Sequence, residues 1–108
     1  MISDKEIDFS KITGFDWDEA NTEKNWRKHK VYYKEVEQVF FNEPFNIERD
    51  KKHSQVEDRF VILGITHERR KLSVVFTLRK NKVRVISARD QDRKERRVYE
   101  KIKTNPKI

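Results

Sequence analysis

The stretch LSVVFTLRKNKVRVISAR, residues 72–89, decides how this chain folds. Leu72, Val74, Phe76 and Leu78 alternate with Ser73, Val75, Thr77 and Arg79, the period-2 pattern of a strand with one face on a core. Lys80 and Asn81 interrupt it, after which Val83 and Val85 alternate with Lys82, Arg84 and Ile86. The pattern predicts a hairpin turning at Lys80 and Asn81, with Leu78 opposite Val83 and Phe76 opposite Val85 on the packed side. Thr77, Arg79 and Arg84 then share the other side, and Arg89 ends the second strand. Like charges on neighbouring strands repel, so three guanidiniums in one hairpin point to an anion that relieves the repulsion. The competing reading is solvation of an exposed face, since charged side chains on strands also block edge-to-edge aggregation.

Working outward, residues 59–66 contain the apolar run Phe60, Val61, Ile62, Leu63, Gly64, Ile65, too short for a helix and rich in branched side chains. That predicts a strand buried on both sides. Residues 45–49 alternate enough for another strand, and 50–58 form a polar loop. Nearer the N-terminus, Phe15, Asp16 and Trp17 read as a short strand, after which Asp18 can cap a helix over 19–30. This helix is polar, and its basic end, Arg27, Lys28, His29 and Lys30, suits the negative pole of the helix dipole. Tyr33, Val36, Val39 and Phe40 recur at three- and four-residue spacing and mark a second helix, stopped by Asn42, Glu43 and Pro44. Beyond the hairpin, Asp92 can cap a last helix, with Glu95 at the capping-box distance and Val98, Tyr99 and Ile102 as a thin apolar face.

The order β-α-α-β-β-β-α predicts an α+β fold. Its antiparallel sheet has about four strands, with two N-terminal helices packed on one face, a C-terminal helix, and the opposite face open. Residues 1–14 read as a loosely packed N-terminal arm, 15–103 as a single domain and 104–108 as a tail.

Composition narrows the partners. Charged residues make up 42 % of the 108 and hydrophobic ones 34 %, but the hydrophobics are branched and aromatic and recur at regular periods, so the chain should fold. A net charge of +7, from 26 basic and 19 acidic residues, favours a polyanionic partner. No apolar run approaches the roughly 20 residues of a bilayer span and no signal-peptide core opens the sequence, which predicts a soluble protein with no membrane partner. The absence of cysteine excludes disulfides, thiolate nucleophiles and Cys-type zinc sites, and fits a reducing cytoplasm. His29, His53 and His67 lack the close spacing of a metal-binding pair, so neither metal nor other cofactor is expected.

Several segments together carry a family resemblance. They are Phe15-Asp16-Trp17-Asp18, Asn25, Lys28-His29, His53-Ser54, Glu57, Arg59-Phe60, Val75-Phe76-Thr77 with Arg79, Ile86-Ser87-Ala88-Arg89, Arg93, Glu95-Arg96 and Tyr99. In order and spacing, over roughly residues 15–100, the chain resembles the BrnT family, toxins of type II toxin-antitoxin pairs. The resemblance implies a RelE-like fold, metal-independent RNA cleavage, and a cognate BrnA antitoxin, a ribbon-helix-helix protein that neutralises the toxin and binds operator DNA. The toxin would then meet operator DNA only through its antitoxin. Three positions depart from the family pattern. Lys30 stands where a glycine usually caps the first helix, Tyr32 where a Ser, Thr or Asp caps the second, and Thr77-Leu78-Arg79-Lys80 where the family has Thr-Glu-Arg-Gly.

Metal-free RNA cleavage makes the adjacent 2′-hydroxyl the nucleophile. The protein must take its proton, stabilise a phosphorane of added negative charge and protonate the 5′-oxygen leaving group. Arginine suits the middle task, because its planar fork donates two parallel hydrogen bonds to a phosphate. Arg79 and Arg89, with Arg59 beside them, are the candidates, together on one scissile phosphate; His53 and Glu57, in the preceding loop, are the acid-base candidates. Lys28, Arg84, Ser87 and Arg93 are candidate RNA contacts. Against these stand plainer readings. Glu57 and Arg59 could be an ion pair pinning a loop, His53 merely exposed, and His29 a dipole partner. Ser87, with no nucleophile-elbow context, is at most a phosphate-contacting hydroxyl. A second function of a different class also accounts for the charge, a catalytically inactive basic module that binds nucleic acid or regulates.

Overall fold

A computed structural model describes residues 7–53 and 57–104, the side chains of His53 and Thr104 excepted. The elements in chain order are β1 (Gly14–Phe15), α1 (Glu19–His29), α2 (Tyr33–Val39), β2 (Asn46–Arg49), β3 (Phe60–Ile65), β4 (Lys71–Arg79), β5 (Lys82–Asp90) and α3 (Arg93–Thr104). The strands form one five-stranded sheet in the order β1-β5-β4-β3-β2. The α+β class holds, but the sheet has a fifth strand and is mixed: β1 joins β5 in parallel, Gly14 beside Lys82 and Phe15 beside Val83. The short strand expected at Phe15, Asp16 and Trp17 is present but spans Gly14–Phe15, and its parallel pairing joins residues far apart in sequence, which leaves no periodic signal.

The hairpin forms in the expected register, Leu78 opposite Val83 and Phe76 opposite Val85. Lys80 and Asn81 both take positive φ, 51° and 66°, the left-handed pair of a two-residue turn that matches strand twist. Past Val85 the register slips. Val75 faces Ser87 and Ser73 faces Arg89, leaving Ile86 as the extra residue of a β-bulge. Strict alternation from Val83 and Val85 would have put Ser87 and Arg89 into the core. The bulge turns them to the other face and sends Ala88, fully buried, inward instead.

The main core lies between α2 and the sheet, where Val36, Val39 and Phe40 meet Ile62, Val74, Phe76, Val83 and Val85. Phe76 has no exposed surface and packs edge-on to Phe40, ring centroids 5.1 Å apart. Gly64 lets α2 approach, because a Cβ there would sit 2.5 Å from the Val39 Cγ1. The N-terminal segment also contributes: Ile7 is buried in this core, with Phe9 and Ile12 against it, although their spacing showed no period.

The far face of the sheet is not fully open. Along β3, Phe60 and Ile62 join the main core, whereas Val61, Leu63 and Ile65 pack with Tyr99 of α3. Alternate residues of a strand point to opposite faces, so α3 covers the side away from α2. The predicted cap of α3 is present: the Glu95 N–H donates to Asp92 Oδ1 at 2.8 Å and the Asp92 N–H to Glu95 Oε1 at 2.9 Å.

The polar character of α1 has a structural reason. Where β1 ends, the β5 edge has unpaired backbone groups, and α1 satisfies them. Asn21 Nδ2 donates to the Val85 carbonyl, Lys24 Nζ to the Ile86 carbonyl, and the Ala88 N–H donates to Oδ1 of the buried Asn25. The helix closes on Lys30 at φ 55°, a left-handed cap that carries a side-chain penalty. Lys30→Gly is expected to raise stability by about 0.5–1 kcal/mol, read from urea melts.

Arg70, in the connection between β3 and β4, joins three elements. Its guanidinium donates to both Asp90 oxygens at 2.7 and 3.1 Å, to the Lys30 and His29 carbonyls at 2.8 and 3.1 Å, and to Glu35 at 3.3 Å. The hydrogen bond from Arg70 holds the Asp90 carboxyl below the usual carboxylate range. A depressed folded-state pKa contributes stability above the unfolded value of about 4, lost as pH falls through the folded value. Arg70→Ala should therefore cost about 2 kcal/mol at pH 7, allowing for partial exposure, and progressively less below about pH 4. Urea melts of the variant and wild type at pH 7 and pH 3 check both halves.

Candidate functional site

The sheet face bearing α3 collects most of the sequence candidates. Cross-strand register sets them in rows, Leu63–Ser73–Arg89 and Val61–Val75–Ser87, with Thr77 opposite Arg84. β2 extends the rows, Asn46 beside Leu63 and Glu48 beside Val61.

At the turn end of the hairpin, Thr77 Oγ1 donates to the Asp58 carbonyl at 2.6 Å and docks the 57–59 segment onto β4. This places Glu57 beside Arg79, Oε2 to Nη2 3.3 Å, both side chains partly open to solvent. Arg59 follows directly, its carbonyl accepting from the Asp50 N–H at 2.7 Å. The turn before this segment, Lys51–His53, carries His53, whose side chain lies outside the described residues, as does Ser54.

Arg89 stands at the other end. Ser73, its cross-strand neighbour, is six residues from Arg79 along β4, which at about 3.3 Å per residue separates the two arginines by about 20 Å. Arg79 pairs with Glu57 and Arg89 with Glu95, so the two arginines stand as separate anchor points on one face. Arg89 is clamped by Glu95, Nη1 to Oε1 2.8 Å and Nη2 to Oε2 3.0 Å, and Glu95 also accepts from Ser73 Oγ at 3.2 Å. Burial pushes the Glu95 carboxyl up, but the hydrogen bonds from Arg89 and the Asp92 N–H hold it net below the usual range. Glu95 in turn raises the Arg89 guanidinium. The pair is charged, with the arginine fork pre-aligned and partly exposed.

The remaining candidates divide. Ser87 shares the Arg89 face, and Arg93 is exposed at the start of α3. Lys28 is exposed near the end of α1. Arg84 is engaged elsewhere, reaching Asp16 at 3.3 Å and Asp18 at 3.2 Å. The added parallel strand brings Asp16 alongside it, so the arginine read as decorating an open face locks the α1 cap to the sheet.

Between β2, the 51–52 turn and α3 lies a cleft of about 460 Å³, with Lys51, Lys52 and Lys94 among its lining residues. It went unread in the sequence because its walls come from three separated segments. The only local hint was a run of lysines in a loop. Among the described residues no three His, Asp or Glu side chains converge as a metal ion would require, and no helix is long and apolar enough to cross a membrane.

A strongly basic α+β domain with ordered arginines on one sheet face is a protein built to hold a polyanion. The family model described as the ribonuclease toxin BrnT of type II toxin-antitoxin systems matches residues 17–95, and the chain belongs to that family. No curated protein matches the chain closely enough to count as a relative. Membership makes it a toxin of the ribonuclease class, with RNA as target and a protein antitoxin as partner. It also bears out the resemblance read from Phe15-Asp16-Trp17-Asp18 onward.

Proposed function

We propose that this toxin is a metal-independent endoribonuclease of RelE-like fold, which cleaves messenger RNA in the cytoplasm by 2′-hydroxyl attack and so inhibits translation. The observation that carries the reading is the turn end of the hairpin, where a carboxylate and arginines gather on an open basic face, Glu57 and Arg79 3.3 Å apart with Arg59 adjoining. There Arg79 and Arg59 stabilise the phosphorane, Glu57 takes the 2′-hydroxyl proton and His53 protonates the leaving oxygen. Arg89, Ser87 and Arg93 hold phosphates further along the same strand, where they position RNA and do not act on the scissile bond.

Gel-resolved cleavage of a labelled RNA tests this. The products should end in a 2′,3′-cyclic phosphate, RNA with a 2′-deoxy substitution at the cleaved position should resist, and EDTA should change nothing. Loss of activity to EDTA would point to a metal site instead. Binding without any cleavage would favour the inactive nucleic-acid-binding module.

We infer further that a BrnA-type ribbon-helix-helix antitoxin covers the basic face, presenting acidic residues to the sheet and to Arg93, Lys94 and Arg97, all exposed on α3. Operator DNA would then be bound only through that partner. Complex formation should slow as salt rises, measured by stopped flow. Association rates flat from low to high salt would remove the electrostatic part.

A further inference from the structure

We propose that Glu95 is a positioning residue for RNA binding: it takes one edge of the Arg89 guanidinium and so holds the other, open edge ready for a backbone phosphate. The inference rests on the RNA-cleaving reading above and deepens it, naming how the second anchor on this face is made. A guanidinium carries five N–H donors in one fixed plane. At Arg89 three are engaged: Nη1 donates to Glu95 Oε1 at 2.8 Å and to the Asp90 carbonyl at 3.1 Å, and Nη2 donates to Glu95 Oε2 at 3.0 Å. The two that remain, Nε–H and the second Nη2–H, are parallel and form the other edge of the fork, the geometry that meets two oxygens of a phosphate. The Arg89 side chain is 42 % exposed, and Nε is not among the buried atoms that lack a partner, so this edge opens to solvent.

Glu95 is not free to leave when a phosphate arrives. Its Oε1 also accepts the Asp92 N–H at 2.9 Å and its Oε2 the Ser73 hydroxyl at 3.2 Å, and Ser73 is buried. Swinging the carboxylate out would strand that hydroxyl and a helix-end N–H, each a loss comparable to a broken hydrogen bond. The phosphate therefore takes the open edge and leaves the clamp in place. Charge alone does not favour this spot, because Glu95 and, through the helix cap, Asp92 lie close to the arginine and repel a phosphate. The nearby Asp90 carboxylate is held by Arg70. What the site offers is direction: two parallel donors fixed by a carboxylate that is itself fixed. Removing the Glu95 charge thus has opposite consequences in the two cases. A carboxylate that only pins α3 to the sheet opposes RNA by its charge, whereas one that aims Arg89 strengthens RNA binding in spite of it.

Fluorescence anisotropy with a labelled oligodeoxynucleotide, which has no 2′-hydroxyl to attack, reads binding without turnover. Glu95→Gln keeps an oxygen for the Asp92 N–H and removes one negative charge, yet it should weaken binding about fivefold. In the Arg89→Lys background the same change should bring no loss, because no fork is left to aim. Tighter or unchanged binding by Glu95→Gln overturns the proposal, as does a loss of the same size in the Arg89→Lys background. A measurement on the wild-type protein decides the matter even if a variant fails to fold. The Arg89 Nε–H signal, assigned through bonds from its own backbone amide by NMR, should shift when the oligodeoxynucleotide is added. A signal that does not move overturns the proposal. So does one that moves with a glutamate-rich peptide and not with the oligodeoxynucleotide, which would assign the edge to an acidic protein partner. Failure of the ribonuclease reading has a different signature, all of these responses in a protein that cleaves no RNA.

Discussion

Arg79→Lys is expected to lower the rate of RNA cleavage by about 10²–10³, the usual loss when one preorganised donor to a transition-state oxyanion is removed. Lysine keeps the charge but not the planar fork, so RNA affinity should stay within the roughly 1–3 kcal/mol expected of one contact. Arg89→Lys should behave differently, because the β4–β5 register places Arg89 well away from Arg79. Lysine there keeps the charge, so the salt slope should stay nearly unchanged while binding weakens modestly across RNA sequences, with a much smaller effect on single-turnover cleavage than Arg79→Lys has. Single-turnover rates and salt-dependent binding of the two variants separate the roles. Full activity in Arg79→Lys would remove that residue from the chemistry. Equal rate losses in both variants would mean that bound RNA brings the two ends of the face together.

Phe76→Ala should destabilise the fold by about 3–5 kcal/mol, the loss expected when a buried phenylalanine leaves a cavity. Phe76 is fully buried and its ring lies against both Phe40 and Phe60, so neither face of the cavity can collapse without moving a second aromatic. For comparison, the sequence alone has Arg84 on an open face, where truncation would cost less than about 0.5 kcal/mol. Its two carboxylate partners, with the guanidinium mostly covered, raise the expected cost of Arg84→Ala to about 1 kcal/mol. Thermal melts of both variants check the order. If Arg84→Ala proved the more damaging, the hairpin would not be the centre of the core.

The candidate site was legible where its residues are neighbours in sequence. Arg79, Arg89, Glu57 and Arg59 announced themselves as charges in or beside a strongly periodic hairpin, and α3 follows from a capping box that needs only Asp92 and Glu95. Arg70 gave no such signal, since its partners His29, Lys30, Glu35 and Asp90 lie 20 to 41 residues away.

By itself the sequence determined the hairpin and its register from the turn as far as Val85, since a period-2 run packs on one face only and a one-residue slip there would expose all of it. It likewise determined the helices, their caps and the basic character of the molecule. Three features depended on the tertiary structure. The bulge at Ile86 aims Arg89 outward, the parallel strand β1 turns Arg84 from a free cation into a cap lock, and α3 with β2 encloses the cleft. All three arise from contacts between segments distant in the chain, where local period carries no information and packing decides which side chains face one another.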